Sequence, residues 1–179
     1  SLTLRPEATA ACVRAGIEHG FLHNQQHRLW YLGPMFRRER PQKGRYRQFQ
    51  QFGIEALGWP GPDIDAEIMM VGTRLWRRLG LSQLTLGINS LGDPQSRGSY
   101  REALQAYRGR YREDLDPDSQ RRLDRNPLRI LDSKAPQTQQ LLEEAPDLLS
   151  FIDGKSKDDF SLLQAILSEN GIKFKVNSK

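Results

Sequence analysis

The chain has 179 residues, 37% of them hydrophobic, with a formal net charge of +5, enough to bury one substantial core with a smaller lobe attached. No apolar run approaches the roughly 18 residues of a membrane span, the N-terminus lacks the regions of a signal peptide, and Cys12 as the single cysteine excludes an internal disulfide and argues against a cysteine-built zinc site. A soluble, cytoplasmic globular protein is the expectation.

In chain order, Leu2 to Arg5 reads as a short strand. Pro6 and Glu7 suit a first helical turn, with Ala8, Ala11, Cys12 and Ala15 at helical spacing and Gly16 or Gly20 to stop it. Leu29 to Phe36 reads as a second strand and Tyr46 to Leu57 as a third, joined around Pro41 and Gly44 by a loop longer than a tight turn. A helix is predicted from Asp63 to Gly80, with acids at its start, Arg74, Arg77 and Arg78 near its end, and a stripe of Ile68, Val71, Leu75 and Leu79. Leu84, Leu86 and Ile88 alternate as a buried strand. After Asp93 the texture changes to short polar helical pieces split by prolines, a separate helical lobe. Ser156 with Asp159 resembles a capping signal for a helix carrying Phe160, Leu163 and Leu167 and ending at Gly171, and Ile172 to Val176 alternates like a strand.

Charge is focal. From Arg28 to Arg47 there are seven basic residues against Glu39 alone, a local +6, so the remainder nearly balances. Such a concentration at a hairpin suits a polyanion, phosphate or nucleic acid. Strand alternation puts Arg45, Arg47, Phe49, Gln51, Gly53 and Glu55 on one face. Cations, an aromatic, an amide and a carboxylate together fit a polar pocket for a nucleotide beside a small amine. Guanidinium groups grip phosphate in a planar, bidentate way, Phe49 offers a ring to a base, Glu55 accepts from a cationic or N–H group, and Gly53 leaves room. Neither a P-loop nor a dinucleotide glycine motif is present. His19, His23 and His27 share helical spacing, but Gly20 and Asn24 interrupt the helix, so ordinary exposed histidines are expected, with no metal in the protein. Cys12 reads as a small core residue, and Trp30, Trp59 and Trp76 as core or rim packing.

Phe36 to Arg40, followed by Arg47-Gln-Phe49 and a strand ending at Glu55, resembles motif 2 of the class II aminoacyl-tRNA synthetases. Leu4 to Thr9, Gly33 to Arg37, Glu39 to Phe49, Gly61 to Glu67 and Asn126 to Lys134, in that order, are similar to the bacterial histidyl-tRNA synthetases. The resemblance implies an α+β fold, a partial class II antiparallel sheet flanked by helices with an inserted small helical domain. It divides the chain into 1–95, a partial catalytic core with the motif 2 hairpin, 96–155, the insertion, and 156–179, a helix and strand returning to the core. It implies that Arg37 is catalytic, binding the α-phosphate, that Glu39, Arg45 and Phe49 complete the ATP site, and that Glu7, Thr9, Gln51 and Glu55 hold histidine. Arg40 and Gln42 would meet the tRNA acceptor end. ATP with Mg as substrate, histidine, tRNA(His) and a homodimer at full length are the implied partners.

Ala8 stands where that family usually has glycine, and Arg38 where histidine or tyrosine is common. Motif 1, the Arg-Gly-Leu-Asp-Tyr-Tyr signature, the motif 3 arginine and an anticodon-binding domain are not in the sequence. On this reading the chain is a fragment, expected to be inactive alone in histidine-dependent ATP–pyrophosphate exchange. The alternative is a synthetase-like regulatory subunit of ATP phosphoribosyltransferase, against which the loop Arg40 to Arg45 argues, since a regulator has no need to meet tRNA. A generic RNA-binding module would interleave surface aromatics with its cations, whereas Phe49 lies between glutamines. For the lobe, contact with the acceptor stem and a mere packing appendage stand as alternatives, since its basic residues, such as Arg108, Arg110, Arg112, Arg121, Arg122 and Arg125, are interleaved with acids.

Overall fold

The computed structural model describes residues 3–109 and 136–177. Leu2, the motif Asn126 to Lys134 and the lobe's arginines from Arg110 to Arg125 lie outside the described residues, as does the Arg108 side chain. The chain divides into two compact units, Ser1–Arg74 and Leu75–Lys179.

In the first unit an extended segment leads to helix α1 (Thr9–Glu18), then strands β1 (His27–Phe36) and β2 (Gln48–Leu57), and the start of α2 (Pro62–Arg78). Residues 3–5 form no strand, and Pro6 and Glu7 precede α1 instead of forming its first turn. The reason is the Glu7 carboxylate: both its oxygens accept from the Ala10 N–H at 3.1 Å, capping the helix from outside it. Gly16 stays within α1, because Leu22 folds back over it, and the helix ends with His19 as its C-cap.

β1 and β2 pair antiparallel from His27 opposite Leu57 to Phe36 opposite Gln48. Directly opposed residues share a face, so this register defines two. One carries Trp30, Leu32, Ile54 and Phe52; the other Tyr31, Gly33, Met35, Phe49, Gln51, Gly53 and Glu55. Trp30 is 70% exposed, which corrects the expectation that it packs in a core or at its rim. The buried apolar residues of this unit are instead Ala8, Met35, Ile64 and Ala66.

Helix α2 begins at a proline, carries Asp63 and Asp65 in its first turn and Arg77 and Arg78 in its last, and stops at Gly80, whose φ is +75°. Its predicted stripe is not a core: Val71 and Leu79 are exposed, and burial is confined to Pro62, Ile64 and Ala66 in the first turns. Periodicity marks the apolar side of a helix without saying what covers it.

The second unit contains β3 (Leu86–Ile88), α3 (Pro94–Gly109), α4 (Pro136–Glu143), a 3-10 turn (Leu148–Ser150), α5 (Gly154–Glu169) and β4 (Phe174–Val176). Tyr100, Leu104, Leu142, Ala145 and Leu148 form its buried cluster, with Tyr107 and Phe151 packed against it; the leucines contribute about 1.5–3 kcal/mol each on full burial. Phe160, Leu163 and Leu167 are the buried face of α5, as predicted. The capping residue differs: Asp153, not Ser156, sits at the N-cap and accepts from the Ser156 N–H at 3.0 Å. Leu84 is exposed and outside β3, which pairs in parallel with β4, Ile88 opposite Val176.

Candidate active site

The polar face of the hairpin and the extended segment before α1 carry most of the predicted residues. Arg37 directly follows β1. Its Nε donates to the Pro6 carbonyl at 2.8 Å, and its guanidinium carbon lies 4.9 Å from the centre of the Phe49 ring. A cation held on an aromatic face and tied to a backbone carbonyl is fixed in direction, a requirement for stabilising charge that develops on a phosphate. With Leu4, Phe36, Arg38, Arg47 and Gln48 it lines an open hollow of about 700 Å³.

Further along the same face, Thr9 Oγ1 donates to Glu55 Oε1 at 2.6 Å, joining the start of α1 to the C-terminal end of β2. Gln51 is half-buried, and its Oε1 is buried without a hydrogen-bond partner. Such an acceptor costs about 1–3 kcal/mol until a donor reaches it, so the chemistry of this end favours an ammonium or N–H ligand. Glu7 is committed to the α1 terminus, although an ionised carboxylate has acceptor capacity beyond the Ala10 N–H.

Cys12, one turn into α1, feels the charge at this end. Burial and then the Glu55 and Glu7 carboxylates push its thiol up from the ordinary value. It is half-buried, and that direction of shift suits a packing residue, not a nucleophile.

Gly53 does not leave the room its size promises. A Cβ there would stand 2.1 Å from Tyr31 Cζ and 2.3 Å from the Tyr31 hydroxyl oxygen, because the phenol of the directly opposed Tyr31 lies across it. A cross-strand ring fills the gap that a glycine opens. Tyr31 therefore belongs to this face between Gln51 and Glu55. It escaped sequence reading because its opposite number depends on the hairpin register, fixed only once the loop is closed.

At the loop, Glu39 and Arg45 pair at 3.0 Å, and the Glu39 carbonyl accepts from Arg47 Nε at 3.3 Å. Gln42 and Arg45 exchange backbone hydrogen bonds, leaving Arg40 and Gln42 exposed at the tip. The local +6 is accordingly not a uniform basic face. Arg28, at the other end of β1, gives Nε and Nη2 to the two Glu67 oxygens at 2.7 Å each and stacks 3.9 Å from the centre of the Trp59 ring. Hydrogen bonding to Arg28 holds Glu67 below the ordinary carboxylate value and raises Arg28.

The three histidines share no helix face, since His19 caps α1 and His27 opens β1; Phe21 lies between their rings, 5.6 and 5.8 Å away.

Over residues 1–171 the chain matches the family model of the tRNA synthetase class II core domain (G, H, P, S and T). Among solved structures it is similar to apo S. aureus histidyl-tRNA synthetase, at 37% identity and a TM-score of 0.73, over 98% of this chain and 40% of that one. The chain thus spans two fifths of the length of that relative.

Proposed function

Starting from a chain that belongs to the class II tRNA synthetase core family, we propose that it carries the motif 2 side of a histidine–tRNA ligase site. In the reaction a histidine carboxylate oxygen attacks the α-phosphorus of ATP, the bond to pyrophosphate breaks, and histidyl-adenylate forms. The terminal ribose of tRNA(His) then takes the histidyl group, with AMP leaving. Magnesium enters with ATP and offsets phosphate charge.

The observation that carries this reading is the alignment of Arg37, Phe49, Gln51 and Glu55 along one hairpin face, with Thr9 bonded to the last of them. Arg37 stabilises the charge on the α-phosphate as the fifth bond forms. Phe49 bears one ring face against Arg37 and offers the other to adenine, and Glu39 and Arg45 exchange their mutual pair for contacts with the nucleotide. Gln51 and Glu7 accept from the α-ammonium, and Glu55 from an imidazole N–H. A site built on such acceptors rejects analogues lacking the N–H by about 10⁴ or more. Arg40 and Gln42 meet the acceptor end.

Equilibrium dialysis of labelled histidine against the 179-residue chain tests the amino-acid half. Histidine should bind, Glu55→Gln should weaken it at least tenfold (about 1.4 kcal/mol), and phenylalanine should not compete. Equal binding of phenylalanine would defeat the assignment.

A further inference from the structure

Arg5 belongs to no helix or strand, yet it is fastened to the end of β1 at three points. Its carbonyl accepts from the Phe36 N–H at 2.8 Å, and its Nε donates to the Pro34 carbonyl at 2.9 Å. The third point is steric. Its guanidinium lies over the buried Gly33, where a Cβ would stand 2.5 Å from Nη2, closer than such atoms approach. Both ends of the proposed site hang from the residues that follow. Pro6 supplies the carbonyl that holds Arg37, Glu7 caps α1, and Thr9 bonds Glu55.

We propose that Arg5, seated on Gly33, is a positioning residue that sets the register of this segment against the hairpin, and thereby places Arg37 and Thr9 together. The inference rests on the histidine reading of the site above. A surface arginine that merely decorates a loop needs no glycine beneath it, whereas this one occupies the space a side chain at 33 would take. The fork geometry matters too: a lysine has one terminal nitrogen and cannot bond the Pro34 carbonyl from Nε while lying flat on Gly33.

The test is a double-mutant cycle on histidine affinity, with each variant checked for folding by circular dichroism. Arg5→Ala and Gly33→Ala should each weaken histidine about tenfold. The pair together should be no worse than Arg5→Ala alone, since the methyl group then meets no guanidinium. Arg5→Lys should behave like Arg5→Ala, and added methylguanidinium should restore part of the affinity of Arg5→Ala, which a general loss of stability would not allow. Equal, independent losses from Gly33→Ala in both backgrounds would overturn the proposal, as would full affinity in Arg5→Lys. If the unmodified chain failed to bind histidine, the reading of the site would fall and the positioning role with it. Binding that Glu55→Gln abolishes, with Arg5 and Gly33 uncoupled, would remove the positioning role alone.

Discussion

Tyr31 and Gly53 show how one residue's role can be set by its neighbour across a sheet. Alanine at 53 must push the phenol aside, because its Cβ would meet the ring at 2.1 Å. The obstacle is the far end of a side chain, so the hairpin should survive, at a cost of about 1–3 kcal/mol. Urea denaturation of Gly53→Ala should show that loss, and the Tyr31 ring signals should move toward solvent-exposed positions; an unchanged midpoint would contradict the contact. Cys12 makes a second residue-scale case. With its thiol pushed up by burial and by Glu55 and Glu7, less thiolate exists at pH 8 than in a free cysteine. Alkylation by iodoacetamide should therefore be several-fold slower than for cysteine in a short peptide, and Glu55→Gln should speed it. Arg37, which follows the other strand, was marked by the motif 2 resemblance, and Phe49, Gln51 and Glu55 were legible in the sequence, since they share a parity along one strand. Arg5 and Tyr31 were not, because each acts by lying on a glycine that only the folded chain brings beneath it.

At the scale of elements, the helices show which local signals carry over into structure. α2 was legible from its acidic start and its basic end, which act through the helix dipole, and from Gly80 as its stop, although it opens at Pro62, one residue before the predicted start. The start of α5 was misplaced by three residues, because Asp153 and Ser156 are both competent caps. Ser156 gives its N–H and its hydroxyl to Asp153 and so becomes the capped residue. The same arrangement recurs at α3, where Asp93 Oδ1 accepts from the Ser96 N–H at 2.7 Å. Side-chain and then backbone hydrogen bonds from these serines hold both aspartates below their ordinary value. A carboxylate whose folded value is depressed contributes stability that is fully present above its unfolded value and is lost as the pH falls through the folded one. The contribution of these caps should therefore be constant at neutral pH and decline from the ordinary aspartate range downward. Replacing Asp153 with alanine should lower the melting temperature by about 2–6 °C at pH 7, and by less as the pH is brought below the aspartate range. A shift that is independent of pH would refute the charged cap.

For the molecule as a whole, the hairpin has two unlike faces. Behind the polar constellation lie Trp30, Leu32 and Phe52, 70%, 65% and 47% exposed, with the Trp30 and Phe52 rings 6.3 Å apart. A contiguous apolar patch of this kind favours self-association. Leu32→Glu should reduce light scattering at high protein concentration while leaving histidine affinity within about twofold, since residue 32 faces away from Gln51 and Glu55; loss of histidine binding would show that the two faces are not independent. The antiparallel hairpin was readable from the strand pattern and the α+β class from the family resemblance, whereas the parallel pairing of β3 with β4 was readable from neither, because it joins strands far apart in sequence and depends on the intervening helices.

Ionic strength gives the charge pairing a consequence for binding. Counted along the sequence, seven cations promise an anion affinity that collapses as salt is added, but Arg28 is engaged with Glu67 and Arg45 with Glu39. On the proposed reading, a nucleotide entering this hairpin would displace the Glu39–Arg45 partnership and gain its contacts partly by exchange, so that fewer counterions would be released than the count implies. Its grip should fade less steeply with salt than seven free cations would imply, and a hairpin that looks in sequence like a bare electrostatic trap would behave as a socket part of whose charge is already spoken for.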